Sequence, residues 1–167
     1  MAVEKVLLAS PRGFCAGVAR AVKAVEDTLD IFQAPVYVKH EIVHNKHVVA
    51  KIEAKGARTV EELKDVPEGS VVVFSAHGSP LSHYEEAGKR NLHLIDATCP
   101  LVTKVHLEVK RYLKEGYQII YIGHHGHPEG IGVRGEVPEA HIPLVETVAE
   151  AQALDLPSSP KMVYLTQ

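Results

Sequence analysis

The chain has 167 residues, of which 46% are hydrophobic and 23% charged, with a formal net charge of −3. This composition is typical of a globular protein, and the slightly negative charge gives no reason to expect nucleic-acid binding, which usually needs a basic surface. No apolar run approaches the roughly 18 residues of a membrane span, and the N-terminus lacks a signal-peptide layout, so we expect a cytoplasmic protein that does not bind membranes.

Seven short apolar or β-branched runs predict strands. They lie at 5–9, 36–40, 71–76, 92–97, 117–123, 142–145 and 161–166. Most of these runs are continuously apolar instead of alternating, which is typical of strands buried on both faces of a parallel sheet.

Two intervals between these runs carry apolar stripes at helical spacing. They predict helices over 16–30 and 100–115, and Pro100 suits the first turn of the second helix. The alternation of strands and helices indicates an α/β fold class.

A weak internal repeat relates 7–29 to 94–113: each has a strand, a cysteine in the turn and then an amphipathic helix. Histidines follow each cysteine at matching distances. His40 and His124 come 25 residues after Cys15 and Cys99, and His44 and His127 come 29 and 28 residues after them. The repeat predicts two related α/β units that face a common centre.

Cys15 and Cys99 both stand where a predicted helix begins. The positive end of a helix favours the thiolate, which is the form that ligates metals or attacks electrophiles. Gly13 and Gly17 would let a bulky group approach the backbone. The alternative for each cysteine is a small buried apolar residue.

Histidines occur at the carboxyl ends of predicted strands, in "KHEIVHNKH", "FSAHGSP" and "YIGHHGHPEG". Open α/β sheets build their ligand sites at these ends. Convergent imidazoles suit a phosphate or diphosphate, or else a metal ion. His125 stays undecided. Surface or core positions are the interpretation for His47, His83, His93, His106 and His141.

Glu129 differs from the other acidic residues, most of which, as at 25–30 and 61–65, are expected on solvated helix faces. It follows a histidine cluster and a proline in a glycine-rich loop. A carboxylate beside a bound anion has a raised pKa and can deliver a proton. The alternative is a solvent-facing loop acid. Zinc-finger spacing, a Walker A motif and a complete dinucleotide fingerprint are absent.

Taken together, "PRGFCAGVARAV", "HEIVHN", "FSAHG", "DATCPLVTKVH" and "GHHGHPE" resemble the 4-hydroxy-3-methylbut-2-enyl diphosphate reductases of isoprenoid biosynthesis by the methylerythritol phosphate pathway. The resemblance runs from Pro11 to Gln167. It implies three α/β units in a pseudo-threefold arrangement around a 4Fe–4S cluster held by three cysteines. It also implies reductive removal of the substrate hydroxyl as water, with a ferredoxin or flavodoxin as electron donor and isopentenyl and dimethylallyl diphosphate as products.

The resemblance assigns roles to six residues of this chain. Cys15 and Cys99 match two of the cluster ligands, and Glu129 matches the acid that relays a proton. The diphosphate-binding histidines correspond to His44, His77 and His127.

The third cysteine of the family pattern, its serine–asparagine loop and the threonine expected directly after Gln167 are absent. The chain is therefore interpreted as the N-terminal two of three units, or the N-terminal two-thirds of a family member. Residues 1–13 form an N-terminal strand and cysteine turn that packs with the third unit in the family, 14–98 form the first unit and 99–167 a truncated second unit.

Alone, this chain is expected to hold the cluster poorly and to be inactive, because two thiolates are too few. The apolar N-terminal strand would then need another partner, such as a second copy of the chain. Two alternatives remain: a non-catalytic diphosphate-binding module, and a zinc hydrolase, which the cysteine–histidine spacings disfavour.

Overall fold

The computed structural model describes residues 5–138, 140–156 and 161–167, which form an α/β structure with two parallel sheets. The helices are α1 Ala16–Phe32, α2 Lys46–Ala54, α3 Leu81–Lys89, α4 Pro100–Lys114, α5 Pro128–Arg134 and α6 Val148–Gln152. The strands are β1 Val36–Lys39, β2 Ala57–Val60, β3 Val71–Phe74, β4 His93–Asp96, β5 Gln118–Ile122, β6 Leu144–Val145 and β7 Met162–Thr166. The predicted α/β fold class is confirmed.

The first sheet has the strand order β2-β1-β3-β4, with β2 and β4 at its edges. Helices α1 and α2 cover one face, where Val25 and Ile52 belong to the same buried cluster as Val38. A 3₁₀ turn at Leu63–Asp65 and α3 cover the other face around Phe74. Burial on both faces explains why residues 36–38 of β1 and all of β3 are continuously apolar.

The second sheet has the order β6-β5-β7, so β6 and β7 are its edge strands. Helices α4 and α5 pack on it through Val109 and Val133, which are buried with Ile119 and Tyr121 of β5. Pro100 occupies the first turn of α4, as predicted.

The strand predicted at 5–9 is wrong. These residues pair with no described strand, and Val6, Leu7 and Leu8 are exposed. An apolar run becomes a strand only where a neighbour satisfies its backbone N–H and C=O groups, and the described chain offers none here. Residues 1–4 of the predicted N-terminal segment lie outside the described residues.

Several elements were not predicted: β2, the 3₁₀ turn, and the helices α2, α3, α5 and α6. Within 61–65, which was expected on a solvated helix face, Leu63 is fully buried in the single 3₁₀ turn. Within the described ranges, no helix combines the length and apolar character that a membrane span requires.

Parallel pairing places the carboxyl ends of neighbouring strands along one edge of each sheet. The predicted site residues follow these ends: His44 after β1, His77 after β3, Cys99 after β4 and His127 after β5. Cys15 is the exception, since it precedes α1 and no strand lies before it in the part of the chain that the structure describes.

Candidate functional site

The two cysteines begin two different helices. Cys15 is the N-cap of α1, where its Sγ accepts a hydrogen bond from the Val18 N–H at 3.4 Å. Cys99 precedes α4, and its own N–H donates to the Ala76 carbonyl at 3.0 Å. Cys15 is exposed and Cys99 is partly exposed, so neither thiol is sealed in a core.

Gly17 lies between the two thiols. A Cβ atom built on Gly17 would come within 2.6 Å of Cys99 Sγ and 3.9 Å of Cys15 Sγ. A separation of 2.6 Å is far inside normal van der Waals contact, so a side chain at this position would displace the Cys99 thiol. The absence of a side chain at Gly17 therefore allows the two sulphur atoms to share one space.

This space opens into a cavity of about 390 Å³, which we call the thiol cavity. Its lining includes Phe14, Cys15, Gly17, Val18, Val43, His44, Asn45, Ala76, His77, Cys99, Val102 and Glu129. The walls are mostly apolar, and besides the two thiols the polar side chains of the lining are His44, Asn45, His77 and Glu129.

Three histidines from the loops after β1, β3 and β5 meet beside the thiol cavity. The ring centroids of His44 and His77 are 4.2 Å apart, those of His44 and His127 are 5.1 Å apart, and those of His77 and His127 are 5.6 Å apart. The cluster joins the two sheets, because His44 and His77 belong to the first and His127 to the second.

Hydrogen bonds determine which ring nitrogens of this cluster carry protons. The Glu129 N–H donates to His127 Nδ1 at 3.2 Å, so a neutral His127 carries its proton on Nε2. That Nε2 lies 3.0 Å from His44 Nε2, which must accept the hydrogen bond. The remaining proton of His44 is then on Nδ1, which faces Glu41 Oε2 at 3.5 Å.

Two members of the three-histidine cluster, His77 and His127, have lowered pKa values that favour the uncharged imidazole. Burial lowers the pKa of His77 to about 4, helped by the neighbouring His44 and His127, and Ser75 Oγ lies 3.2 Å from His77 Nδ1. Burial and His44 also lower the pKa of His127. A bound anion would reverse this preference, because it stabilises protonated imidazoles.

A second cavity of about 510 Å³, the histidine cavity, adjoins the cluster. Its lining includes His44, His77, Ile122, Gly123, His124, His127, Glu129, Glu146, Thr166 and Gln167. His44, His77 and Glu129 line both cavities, so the two spaces meet at these three side chains.

Glu129 stands in the first turn of α5, directly after the N-cap His127 and Pro128. Burial raises the pKa of its carboxyl, and the nearby His106 and His44 oppose that rise. A carboxyl with a raised pKa keeps a proton at higher pH and can give it to a reacting group.

Other histidines do not join the cluster. His40 pairs through Nδ1 with Glu61 at 2.7 Å and lines neither cavity, although the repeat matched it to His124. His124 lines the histidine cavity while Nδ1 contacts Glu146 Oε1 at 2.9 Å. His125, left undecided from the sequence, lies 3.3 Å from Glu150 at the surface.

The prediction did not single out several residues that line these cavities: Asn45, Glu146, Thr166 and Gln167. Asn45 caps α2 by accepting from the His47 and Val48 N–H groups, and Gln167 accepts from the His124 N–H at 3.0 Å. Glu146 and Gln167 directly follow strands β6 and β7, so their position at strand ends was the available signal.

Within the described residues, no group of three or more Cys, His, Asp or Glu side chains is arranged to hold a metal ion. Cys15 and Cys99 nevertheless fit an iron–sulphur cluster in two respects: thiolate is the preferred ligand, and Gly17 keeps the space beside both sulphurs free. They supply only part of a ligand set.

The sequence profile of the LytB protein family matches residues 6–167. A curated 4-hydroxy-3-methylbut-2-enyl diphosphate reductase from Chlamydia pneumoniae is 56% identical over 165 residues, which are 99% of this chain and 53% of the relative. The reductase of the same name from Acidithiobacillus ferrooxidans is 51% identical over 162 residues, or 97% of this chain and 51% of the relative. The chain thus spans about half the length of these curated relatives.

Solved structures give the same result. The structure of E-1-hydroxy-2-methyl-but-2-enyl-4-diphosphate reductase from Plasmodium falciparum superposes with a TM-score of 0.89 at 47% identity, covering 95% of this chain and 49% of that one. A second structure, described as (E)-4-hydroxy-3-methyl-but-2-enyl diphosphate reductase, the terminal enzyme of the non-mevalonate pathway, has a TM-score of 0.80 at 33% identity and covers 97% and 57%. The resemblance stated from the sequence motifs is confirmed.

Proposed function

Because the chain belongs to the LytB protein family, we propose that it is the N-terminal half of a 4-hydroxy-3-methylbut-2-enyl diphosphate reductase. In this proposal the histidine cavity binds the diphosphate of the substrate, the thiol cavity holds part of an iron–sulphur site, and Glu129 delivers a proton between them.

The observation that carries this proposal is the shared lining of the two cavities by His44, His77 and Glu129. An allylic diphosphate has a strongly anionic end and an apolar end that carries a hydroxyl. A cavity lined by the imidazoles of four histidines suits the first end, and a mostly apolar cavity beside two thiols suits the second. Glu129 lines both cavities and so lies between the positions that the two ends of such a molecule would occupy.

Diphosphate binding would use His44, His77 and His127. The His44 and His127 Nε2 atoms form a hydrogen bond with each other at 3.0 Å. A diphosphate would replace this bond by charge-assisted bonds to protonated imidazoles, which are shorter and stronger than neutral ones. Binding therefore takes up protons.

Cys15 and Cys99 would be two ligands of a 4Fe–4S cluster, which supplies electrons for reductive chemistry when it is bound. This chain contains two cysteines and spans about half the length of its relatives. A third cysteine ligand would therefore come from a segment that corresponds to the other half of the relatives. We propose that this part forms the third α/β unit and covers residues 5–9. The boundaries 1–13, 14–98 and 99–167 and a ferredoxin or flavodoxin donor belong to the same proposal.

Glu129 would supply a proton to the leaving hydroxyl. Conversion of an allylic alcohol to an alkene and water consumes two electrons and two protons, and burial favours a protonated carboxyl at this position. His127 fixes the start of α5 by accepting the Glu129 N–H, and so orients the acid beside the diphosphate site.

Binding is tested by calorimetry of the metal-free 167-residue chain with 4-hydroxy-3-methylbut-2-enyl diphosphate. We expect binding that His127→Ala weakens by roughly tenfold, because one charge-assisted hydrogen bond is lost. His141→Ala is the matched control, since residue 141 is exposed and outside both cavities. No binding by the native chain, or equal binding by His127→Ala, would contradict the diphosphate role.

Metal content and turnover separate the reductase from its alternatives. We expect the isolated chain to be colourless after aerobic purification and inactive, and coexpression with the remaining half of a relative to restore both cluster and reductase activity. A stoichiometric cluster on the chain alone contradicts the incomplete ligand set. A reconstituted protein that binds substrate without turnover favours the non-catalytic module, and stoichiometric zinc favours a hydrolase.

A further inference from the structure

Helix α5, which carries Glu129, packs directly on the loop that carries His77. A Cβ atom built on Gly132 of α5 would lie 3.3 Å from the Gly78 carbonyl carbon and 3.3 Å from the Ser79 nitrogen. At the end of the helix, the Gly135 carbonyl accepts from the Leu81 N–H at 3.4 Å. The two backbones therefore touch with no side chain between them, and this contact joins the two sheets.

His106 of α4 and Glu136, which follows α5, lie beside this contact between α5 and the loop. His106 is 9% exposed, and its Nδ1 lies 2.7 Å from Glu136 Oε2, just after the end of α5. Lys110, one turn further along α4, also pairs with Glu136. The opposite edge of the His106 ring faces the loop, where Nε2 lies 2.9 Å from the position of a Gly78 Cβ.

His106 Nε2 is buried and has no hydrogen-bond partner among the residues that the structure describes. A buried ring nitrogen without a hydrogen-bond partner lowers the stability of the folded protein. A residue that served only to fill the core would avoid this cost if it were apolar. The ring is instead held by Glu136 on one edge and pressed on Gly78 on the other. This arrangement points to a role in holding α5 against the loop.

We propose that His106 and Glu136 are positioning residues for the reaction: they hold α5 against the 77–80 loop and so set the distance of His127 and Glu129 from His77. The inference rests on the proposed function, because it concerns the same diphosphate site. It adds two residues that touch neither the histidine cavity nor the two thiols.

The geometry explains why a small shift would matter. Gly132 lies about one helical turn beyond Glu129, and α5 is only seven residues long, so the helix moves as one body. A displacement at the Gly132 contact is passed to both His127 and Glu129. Catalytic groups lose much of their effect when they are misplaced by an ångström or less.

Electrostatics agrees with this placement. Burial alone would raise the pKa of Glu136, but hydrogen bonds from Lys110 and His106 outweigh burial and lower it, so the carboxylate stays ionised. His106 also opposes the burial that raises the pKa of Glu129, so His106 lies near the acid that it would position.

The test compares Glu136→Leu with Glu136→Gln in the 167-residue chain, with inorganic pyrophosphate as the probe in calorimetry. Glutamine keeps an oxygen that can accept from His106 Nδ1, whereas leucine does not. We expect Glu136→Leu to weaken pyrophosphate binding by roughly tenfold and Glu136→Gln to rescue most of it. The ¹⁵N resonances of His44 and His127 report whether their mutual hydrogen bond is lost in Glu136→Leu only.

Gly132→Ala perturbs the same contact without altering the ion pair, and Gly88→Ala is its control because a Cβ there meets no atom within 4 Å. We expect weaker pyrophosphate binding for Gly132→Ala and unchanged binding for Gly88→Ala. If Glu136→Leu does not fold, Gly132→Ala still tests whether the contact between α5 and the loop is needed for binding. Native-like binding by Glu136→Leu or Gly132→Ala, or equal losses in Glu136→Gln and Glu136→Leu, would overturn the inference. Failure of the native chain to bind pyrophosphate would instead overturn the proposed function.

Discussion

The histidine cavity and the thiol cavity differ in how much of each this chain completes. His44, His77 and His127 come from both sheets and already contact one another. Cys15 and Cys99 share a space but bring only two sulphur ligands, and Cys15 is exposed. Under the proposed function, this chain would preorganise the anion-binding part of the site, whereas the metal-binding part would depend on residues outside the chain.

Glu129→Gln should have the largest effect, because Glu129 lines both cavities. It separates proton transfer from the binding of metal and of anion. In a full-length protein that carries this sequence, we expect turnover to fall by roughly 10²–10⁴, since the amide cannot donate the proton that the carboxyl provides. Iron content and pyrophosphate affinity should be unchanged, because Glu129 is neither a sulphur ligand nor one of the three histidines. Near-normal turnover would remove Glu129 from the mechanism.

Acid sensitivity tests the histidine side. The pKa of His77 is about 4 in the folded chain and 6.5 in the reference state, so His77 contributes stability that is present above pH 6.5 and lost as the pH falls toward 4. The loss should amount to about 3 kcal/mol in the free energy of unfolding. Denaturant titrations at several pH values measure it.

His77→Asn should reduce this loss, leaving the smaller contributions of His83 and His127, whose pKa values are also lowered by burial. Pyrophosphate should flatten the same curve in the native chain, because it gives a protonated imidazole a partner. An unchanged pH dependence in His77→Asn would show that His77 is not the buried neutral base of this cluster.

Gly17→Ala tests the thiol side and should have the smallest effect on stability. Alanine in place of glycine in a helix usually gains about 1 kcal/mol, but here the Cβ would press on Cys99 Sγ. We expect little net change in stability and a clear loss of capture by a trivalent arsenical, which needs two neighbouring thiols. Gly88→Ala is the control. Native-like capture by Gly17→Ala would contradict the shared space.

Most strands and the two long helices could be predicted because their apolar patterns match what they bury. Helix α5 could not, since a proline and two glycines in seven residues give weak helical signal. Gly132 allows the close approach of α5 to Gly78, and this contact depends on tertiary packing. Residues 5–9 show the opposite case, in which a strand-like pattern has no neighbour among the described residues.

The site was predictable to the extent that chemistry-bearing residues follow strand ends, as His44, His77 and His127 do. The pairing of His106 with Glu136 was not, because the two residues are 30 positions apart and meet only through the packing of α4 and α5. The two glycines beside Cys15 also differ in what the structure requires of them. Gly17 leaves space for the thiols, whereas a Cβ atom built on Gly13 would meet no atom within 4 Å, and Gly13 instead adopts a φ of +134°.

The edge strands of the two sheets have a consequence for the behaviour of the isolated chain in solution. β2 and β4 have four residues each, β6 has two and β7 has five. Short edge strands offer too few successive N–H and C=O groups to recruit another chain into a growing sheet. β7 is the longest and exposes Met162 and Tyr164, so it is the edge at which aggregation would begin and where a lysine would best suppress it.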